Sequence, residues 1–419
     1  MRLRKPRRWR PILRPAAGRK LPAELRADAV GGLAAALPEG LRDPGFAVLL
    51  RRIDQSPILE GNRVRACFRG VETFEAMRKA IDAARAEVLV ESYIFKDDAT
   101  GRSLLETFAR AVHRGVRVCV LADAFGSIAT RRAFWNEMRS RGVEVRLFNP
   151  LFPHLLLQPF RDHRKILVVD CATAFTGGMN IGDEYGSGLS AHGGPWRDTH
   201  VQVDGPAAWA MATVFTEAWL AAGGSPVELP LLAPETGGVP ALVLDSRPGR
   251  GHGETASVLA AIVAATRKRL WITNAYFAPR RRAVEVLGQA AGRGVDVRIL
   301  LPGLSDVPLV RHAGHGNYAA LLRRGVRIFE YQAAVLHAKT LVADDILSFA
   351  GSTNLDFRSF HFNAECNLVL LDPGTARAFS EAFEADLARS IEITPALWAR
   401  RSFFHRVGDA LARALGPFL

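Results

Sequence analysis

The chain has 419 residues, 48% of them hydrophobic and 23% charged, a balance that excludes a disordered polymer and leaves room for two domains or one large duplicated unit. The net charge is +13, but residues 1–20 hold nine basic side chains and no acid, so everything else carries only +4. No apolar run approaches the ~20 residues of a membrane-spanning helix, and the basic N-terminus lacks the apolar stretch and cleavage site of a secretory leader. With Trp9, Ile12 and Leu13 among its charges, that basic arm suits an anionic membrane surface or a nucleic acid. Cys67, Cys119, Cys171 and Cys366 form no C-x-x-C pair, which points to buried free thiols and a reducing compartment and argues against structural zinc.

In chain order, residues 1–55 read as the arm and an adaptor broken by Pro22, Pro38, Gly40, Pro44 and Gly45. A first lobe is expected over 56–222. Val64 to Phe68 predicts a short strand, Val71 to Ala86 a helix, and Val88 to Phe95 an apolar strand. A second helix runs through Leu104, Leu105, Phe108 and Val112 to the stop signal Arg114-Gly115, followed by a strand from Val116 to Asp123. A helix around Phe134 to Met138 and a strand from Val143 to Phe148 continue the alternation. Alternating strands and helices imply an α/β fold with a largely parallel sheet covered on both faces.

The pattern then repeats. Residues 223–253, rich in Gly and Pro, read as a linker, and a second lobe is expected over 254–395. Leu270 to Phe277 matches Val88 to Phe95, Arg293 to Pro302 matches Arg114 to Asp123, and Arg324 to Phe329 matches Arg141 to Phe148. The offset stays near 180 residues, so the chain is a tandem duplication. Residues 396–419 place Phe404, Val407, Leu411 and Leu415 on one face of an amphipathic helix that suits either the fold or a membrane interface.

Each half arrives at an H-x-K-x4-D motif: His163, Lys165 and Asp170, then His337, Lys339 and Asp344. Only seven lysines stand against 48 arginines, yet one falls in each motif. On a strand, residues two apart project from the same face, so each imidazole and ammonium point the same way. A lysine inside the triplet disfavours a metal, and neither H-x-H nor H-E-x-x-H occurs. Imidazole as nucleophile or acid beside ammonium groups suits phosphate chemistry instead. Each motif is followed by a small-residue turn carrying an amide, Gly177-Gly178-Met179-Asn180 and Gly351-Ser352-Thr353-Asn354.

These paired motifs resemble the phospholipase D superfamily. The stretches Arg161–Asp170, Gly177–Tyr185, Trp196–His200, Gly351–Phe360 and Asn363–Asn367 resemble bacterial cardiolipin synthases, here in the form without N-terminal membrane-spanning helices. The resemblance covers roughly residues 60–395. It implies two duplicated α/β/α sandwich lobes with mixed, largely parallel sheets, packed about a pseudo-twofold axis with one shared active site. It also implies transfer through a covalent phosphohistidine, with His163 as nucleophile and His337 as acid and then base; the symmetry leaves those roles interchangeable. Lys165, Lys339, Asn180, Asn354, Ser352 and Gly178 would bind the phosphate. Family members orient each histidine by a downstream carboxylate, which places Asp198 on His163 and Glu365 on His337. Asp170 and Asp344 belong to the catalytic motif, but their position at the far ends of apolar strands suggests scaffolding.

The activity the resemblance implies is phosphatidyl transfer between two phosphatidylglycerol molecules, without a cofactor or metal, at the cytoplasmic face of the bacterial inner membrane. Hydrolysis by water, a nuclease of the same superfamily, and a non-catalytic membrane-binding module are the alternatives. The apolar stretch Leu151–Phe160, just before His163, suits acyl chains or shallow membrane insertion and disfavours nucleic acid. The sequence is silent on oligomeric state.

Overall fold

The structure, a computed structural model, describes residues 30–150, 160–186, 194–230, 234–247, 253–402, 408–409 and 412. Among these, sixteen strands follow in chain order. The first half holds β1 (Leu59–Cys67), β2 (Glu87–Ser92), β3 (Arg117–Asp123), β4 (Glu144–Phe148), β5 (Arg161–Asp162), β6 (Lys165–Val169), β7 (Thr173–Gly177) and β8 (His200–Asp204). The second holds β9 (Val239–Ser246), β10 (Arg269–Asn274), β11 (Asp296–Pro302), β12 (Arg327–Tyr331), β13 (Lys339–Ala343), β14 (Leu347–Gly351), β15 (Asn363–Leu370) and β16 (Ser390–Glu392). Outward from the centre the order is β1-β8-β7-β6-β2-β3-β4 on one side and β9-β15-β14-β13-β10-β11-β12 on the other. The two lists match strand for strand, which is the duplication in three dimensions.

Helices cover both faces of each lobe, and the α/β class follows from the alternation seen in the sequence. The parallel pairing is narrower than expected. Within each half it is confined to β2-β3-β4 and β10-β11-β12, and across the halves the short β5 adds in parallel to β15. The strands that carry and follow the motifs return through short hairpins, β6 to β7 and β13 to β14, and a short connection only permits antiparallel pairing.

Local sequence explains the repeated helix–strand unit. Asp98 accepts a hydrogen bond from the Gly101 amide and caps the helix Ala99–His113. That helix ends at Gly115 and its counterpart Arg281–Gly292 at Gly294, with φ of 84° and 89°, a left-handed turn that glycine adopts at no steric cost. The strands they feed, β3 and β11, are almost wholly buried, as expected for strands covered on both faces.

Two domain boundaries differ from the sequence reading. The expected linker 223–253 contains β9, the strand that joins the two halves: it pairs with β15 on one side and β1 on the other. Its short apolar run Ala241–Leu244 is buried on both faces and stands among the Gly and Pro that read as a linker. The expected adaptor is also part of the fold. Leu33, Leu37, Leu41, Phe46, Leu50 and Ile53 pack into the core of the second lobe, beside Val258, Ile262 and Leu287. Residues 30–54 therefore close the second lobe although they precede the first.

Between the lobes lies a shared core. Met211, Phe215 and Trp219 from the helix Pro206–Ala221 join Phe379 and Phe383 from Pro373–Leu387 in one cluster with strands of both sheets. The basic arm 1–20, residues 151–159 of the apolar stretch, and most of the expected C-terminal helix lie outside the described residues. Among the described residues no helix is long and apolar enough to cross a membrane.

Candidate active site

His163 lies between β5 and β6, with Lys165 the first residue of β6; His337 stands just before β13, which begins at Lys339. All four side chains are buried. Strand pairing sets Lys165 opposite Ser92 and Lys339 opposite Asn274, so each lysine sits where β2 or β10 ends. Lys165 Nζ donates to the His163 carbonyl at 2.6 Å. Lys339 Nζ donates to the His337 carbonyl and stands 3.0 and 3.1 Å from the two ring nitrogens of His337. The motifs from the two halves meet closely enough that Lys165 and Lys339 each depress the basicity of the other half's histidine.

The orienting carboxylates are exchanged between lobes. His163 Nδ1 lies 3.0 Å from Glu365 Oε2, and His337 Nδ1 lies 2.7 Å from Asp198 Oδ2. This corrects the pairing of Asp198 with His163 and Glu365 with His337. The backbone supplies the reason. Arg161 and Asp162 add in parallel beside Asn363 and Ala364, and the His163 amide donates to the Ala364 carbonyl at 2.9 Å. The other half copies this: Arg197 bridges to Leu336, and the His337 amide donates to the Arg197 carbonyl at 2.8 Å. Each histidine is thus stitched across the lobe interface to the residue before the other lobe's carboxylate. Sequence distance favoured the carboxylate of the same half; the interface overrode it.

Burial sets the charges. It lowers the His163 pKa, with Glu365 opposing and Lys165 adding to the drop, and it holds His337 well below the ordinary histidine value, with Lys339 adding to the effect. Both shifts favour the neutral imidazole. A hydrogen on Nδ1 directed at the carboxylate leaves the Nε2 lone pair for chemistry. Burial brings Lys165 down to about 7 and Lys339 to about 8. Burial raises Asp198 to about 6, whereas His163 and Lys165 outweigh burial and pull Glu365 below its ordinary value.

Aromatic rings wall the centre, and the sequence reasoning missed them. Tyr93 meets His163 edge-on at 4.9 Å, with Lys165 Nζ 5.3 Å from the same ring. Tyr276, Tyr185 and Trp196 surround His337 at 5.8, 5.4 and 5.5 Å. Burial pushes Tyr93 up to about 12 and the other two tyrosines well above their usual value, so all three remain neutral. A signal did exist: Tyr93 and Tyr276 precede Phe95 and Phe277 in the repeated strand, but one position out of register with each other.

The remaining sequence candidates divide. Asn180 is buried, accepting from the Ile94 amide at 3.2 Å and donating to the Tyr185 hydroxyl at 2.8 Å. The Asn354 side-chain oxygen is buried without a hydrogen-bond partner, a polar atom left over for a ligand. Gly178 and Ser352 hold the carboxylates instead of offering donors to phosphate. The Gly178 amide donates to the Thr199 carbonyl at 2.9 Å, and a Cβ on Gly178 would lie 2.1 Å from Asp198 Oδ1. The Ser352 amide donates to the Cys366 carbonyl at 3.1 Å, and its hydroxyl accepts from the Cys366 amide at 3.0 Å. Thr199 and Cys366 directly follow the two orienting carboxylates.

Asp170 and Asp344 are scaffold, which corrects their place in the catalytic set. Asp170 accepts from the Arg85, Ala86 and Glu87 amides at 2.9, 2.8 and 2.9 Å. Asp344 does the same with Arg267, Lys268 and Arg269 at 2.7, 2.7 and 2.9 Å. Each carboxylate clamps the start of β2 or β10 at the strand end remote from the lysine. As for metals, the single ligand-like grouping among the described residues is His312, His315 and Asp409, outside this centre.

The chain matches the family profile described as cardiolipin synthase, PLD-like domain, over residues 77–186 and 258–387, one segment in each lobe. It is 38% identical over 375 residues to cardiolipin synthase A of Pseudomonas putida (strain W619), covering 88% of this chain and 77% of the relative. It is 37% identical over 376 residues to cardiolipin synthase A of Pseudomonas aeruginosa (strain LESB58), covering 88% and 76%. Among solved structures, phosphatidylserine synthase of Haemophilus influenzae shares the fold at a TM-score of 0.67 and 14% identity, over 90% of this chain and all of that one. Polyphosphate kinase of Porphyromonas gingivalis does so at 0.55 and 14%, over 88% and 54%. The same histidine–lysine pair in both halves, joined by exchanged carboxylates and matched along most of its length, places this chain in the cardiolipin synthase family with the PLD-like domain.

Proposed function

We propose that the protein is a cardiolipin synthase that transfers a phosphatidyl group between two phosphatidylglycerol molecules, releasing glycerol. The observation that carries this reading is the convergence of two neutral, carboxylate-oriented imidazoles with two lysines in one buried centre. His163 Nε2 attacks the phosphorus, and the phosphorus–oxygen bond to glycerol breaks. His337, charged once the phosphodiester anion is beside it, gives its proton to the departing oxygen. A second phosphatidylglycerol then gives its hydroxyl proton to His337 while its oxygen displaces His163, forming cardiolipin. Lys165 and Lys339 offset charge on the non-bridging oxygens, and the Asn354 side-chain N–H donates to one of them. Burial keeps water scarce at the intermediate, which favours the alcohol as acceptor.

Attachment to the periphery of a membrane is part of this reading. Ten large hydrophobic side chains are exposed among the described residues, and six of them rim the centre: Phe125, Ile128 and Phe160 from one lobe, Leu304, Val307 and Leu309 from the other. Phe125 and Leu304, like Ile128 and Val307, are the same distance apart in sequence, so the duplication repeats the apolar rim on both sides of the opening. The Asp162 amide donates to Asp123 beside one loop, and Tyr276 donates to Asp306 within the other, which ties both loops to the reactive pairs. The four buried free thiols fit the cytoplasmic face of the inner membrane.

The test is to incubate the purified protein with phosphatidylglycerol vesicles and analyse lipids and released glycerol. Cardiolipin with glycerol supports transfer. Phosphatidic acid as the sole lipid product would replace it with hydrolysis.

A further inference from the structure

The two lobes repeat each other in strands and helices but not in how their cores are filled. In the second lobe, a cavity of about 520 Å³ opens between the helices Glu254–Ala265 and Arg281–Gly292 and the sheet beneath them. Its wall is apolar: Ala256, Ala260 and Val263 on one helix, Ala283, Val286 and Leu287 on the other, Ile272, Leu341 and Phe349 on the sheet. Lys339 also lines it, so the hollow reaches the reactive pair of this lobe. Exposed Arg280 and Arg282 stand at its edge.

The first lobe fills the matching space with large side chains. Its helix Gly70–Asp82 buries Phe74, Met77 and Ile81 where the second lobe has a helix rich in alanine. At the offset of 179 residues that brings Gly115 onto Gly294, Leu104 falls on Ala283 and Phe108 on Leu287. The duplicated fold thus has a filled version of this core, and the second lobe departs from it by truncated side chains. A hollow in a packed core costs stability in proportion to its volume. A volume inside the ~300–1,000 Å³ range of ligand sites, with apolar walls, fits a ligand.

Resting on the transferase reading, we propose that this cavity receives a fatty acyl chain of the phospholipid whose headgroup lies at Lys339. The occupant follows from what the cavity joins. A hydrocarbon must fill the apolar part while an attached anion sits beside Lys339 and the exposed arginines, and a phospholipid carries both in one molecule. The lobe bearing His337 therefore holds lipid tails, and the first lobe, whose equivalent core is filled, does not hold them in the same way. The duplicated enzyme is asymmetric in substrate binding although its chemistry is symmetric.

Photo-crosslinking tests this without depending on turnover. Vesicles of phosphatidylglycerol bearing a diazirine at the acyl terminus are irradiated with the intact protein, and adducts are mapped by mass spectrometry. Adducts on residues 256–263 and 283–287 are expected; adducts confined to other segments overturn the proposal. Cardiolipin formation without cavity adducts would remove the acyl site and keep the transferase; cavity adducts without cardiolipin would do the reverse. As a second measurement, Ala260→Phe and Ala283→Phe should lower the ratio of long-chain to short-chain phosphatidylglycerol turnover by about tenfold or more, because each buried methylene adds to binding. An unchanged ratio in both variants overturns the proposal.

Discussion

His163 and Glu365 are 202 residues apart in the chain, yet the imidazole Nδ1 lies 3.0 Å from the carboxylate. The reciprocal pair, His337 and Asp198, is 139 residues apart and separated by 2.7 Å. Neither lobe therefore holds a complete site. Each contributes a histidine that only the other lobe can orient, and each histidine is placed by a backbone bond to the strand or loop that delivers the foreign carboxylate. The tautomer, the ring orientation and the docking of the lobes are one structural event.

Exchanged carboxylates predict different defects from the two conservative variants. Glu365→Gln should slow attack by His163, and Asp198→Asn should slow proton transfer by His337, each by roughly 10²–10⁴-fold in kcat. A phosphodiester with an activated phenolate leaving group needs no acid. It should restore phenolate release in Asp198→Asn but not in Glu365→Gln. If the rescue occurs in Glu365→Gln instead, the roles of the two histidines are reversed.

The lysines predict a pH dependence. Burial places Lys165 at about 7 and Lys339 at about 8, so kcat/KM should fall as pH rises through that window and the free enzyme loses its ammonium charge. On the acid side His163 stays an unprotonated nucleophile below the ordinary histidine range, because burial lowers it. Stability runs the other way. The unfolded lysine keeps its proton to about 10 while the folded one releases it near 7, so burial of Lys165 costs most below that point and the cost fades as pH rises. Lys165→Met should raise Tm at neutral pH, flatten its pH slope, and reduce turnover by about 10²–10³-fold. Thermal melts across pH, alongside steady-state kinetics, check both signs.

Asp170 and Asp344 should behave as structural residues. Removing a carboxylate that accepts from three amides, in Asp170→Ala or Asp344→Ala, is expected to cost about 2–4 kcal/mol of stability. Asparagine should cost less, since it retains an accepting oxygen and tolerates the φ of 51° that both positions adopt. Denaturant melts measure the loss. Turnover per folded molecule should stay near that of the parent, and its collapse at unchanged stability would return these aspartates to the chemistry.

The apolar rim should govern attachment to lipid. Ile128→Ser and Val307→Ser remove exposed apolar groups from symmetry-related loops, and each should weaken binding to phosphatidylglycerol vesicles by about tenfold. Sedimentation with vesicles at low and high salt separates this contribution from that of the basic arm, because only the electrostatic part is screened. Equal binding by the double variant and the parent would place membrane contact elsewhere.

The sequence by itself determined the duplication, the α/β class and the reactive pairs, and the reason is locality. A strand alternates its side chains, so His163 and Lys165, or His337 and Lys339, share a face wherever the strand is placed. Helix stops at Gly115 and Gly294 are equally local. Tertiary structure decided everything that depends on which segment meets which. It gave Glu365 to His163 and Asp198 to His337, because inter-lobe backbone pairing competes with proximity along the chain and wins. It turned Gly178 and Ser352 from expected phosphate donors into supports for the carboxylate-bearing segments, since their amides are already bonded there. It also drew β9 and residues 30–54 into the fold, and it left the second lobe hollow beside Lys339 where the first is filled. Side-chain direction along one strand is encoded within a few residues; partners across an interface are set by packing that involves both halves at once.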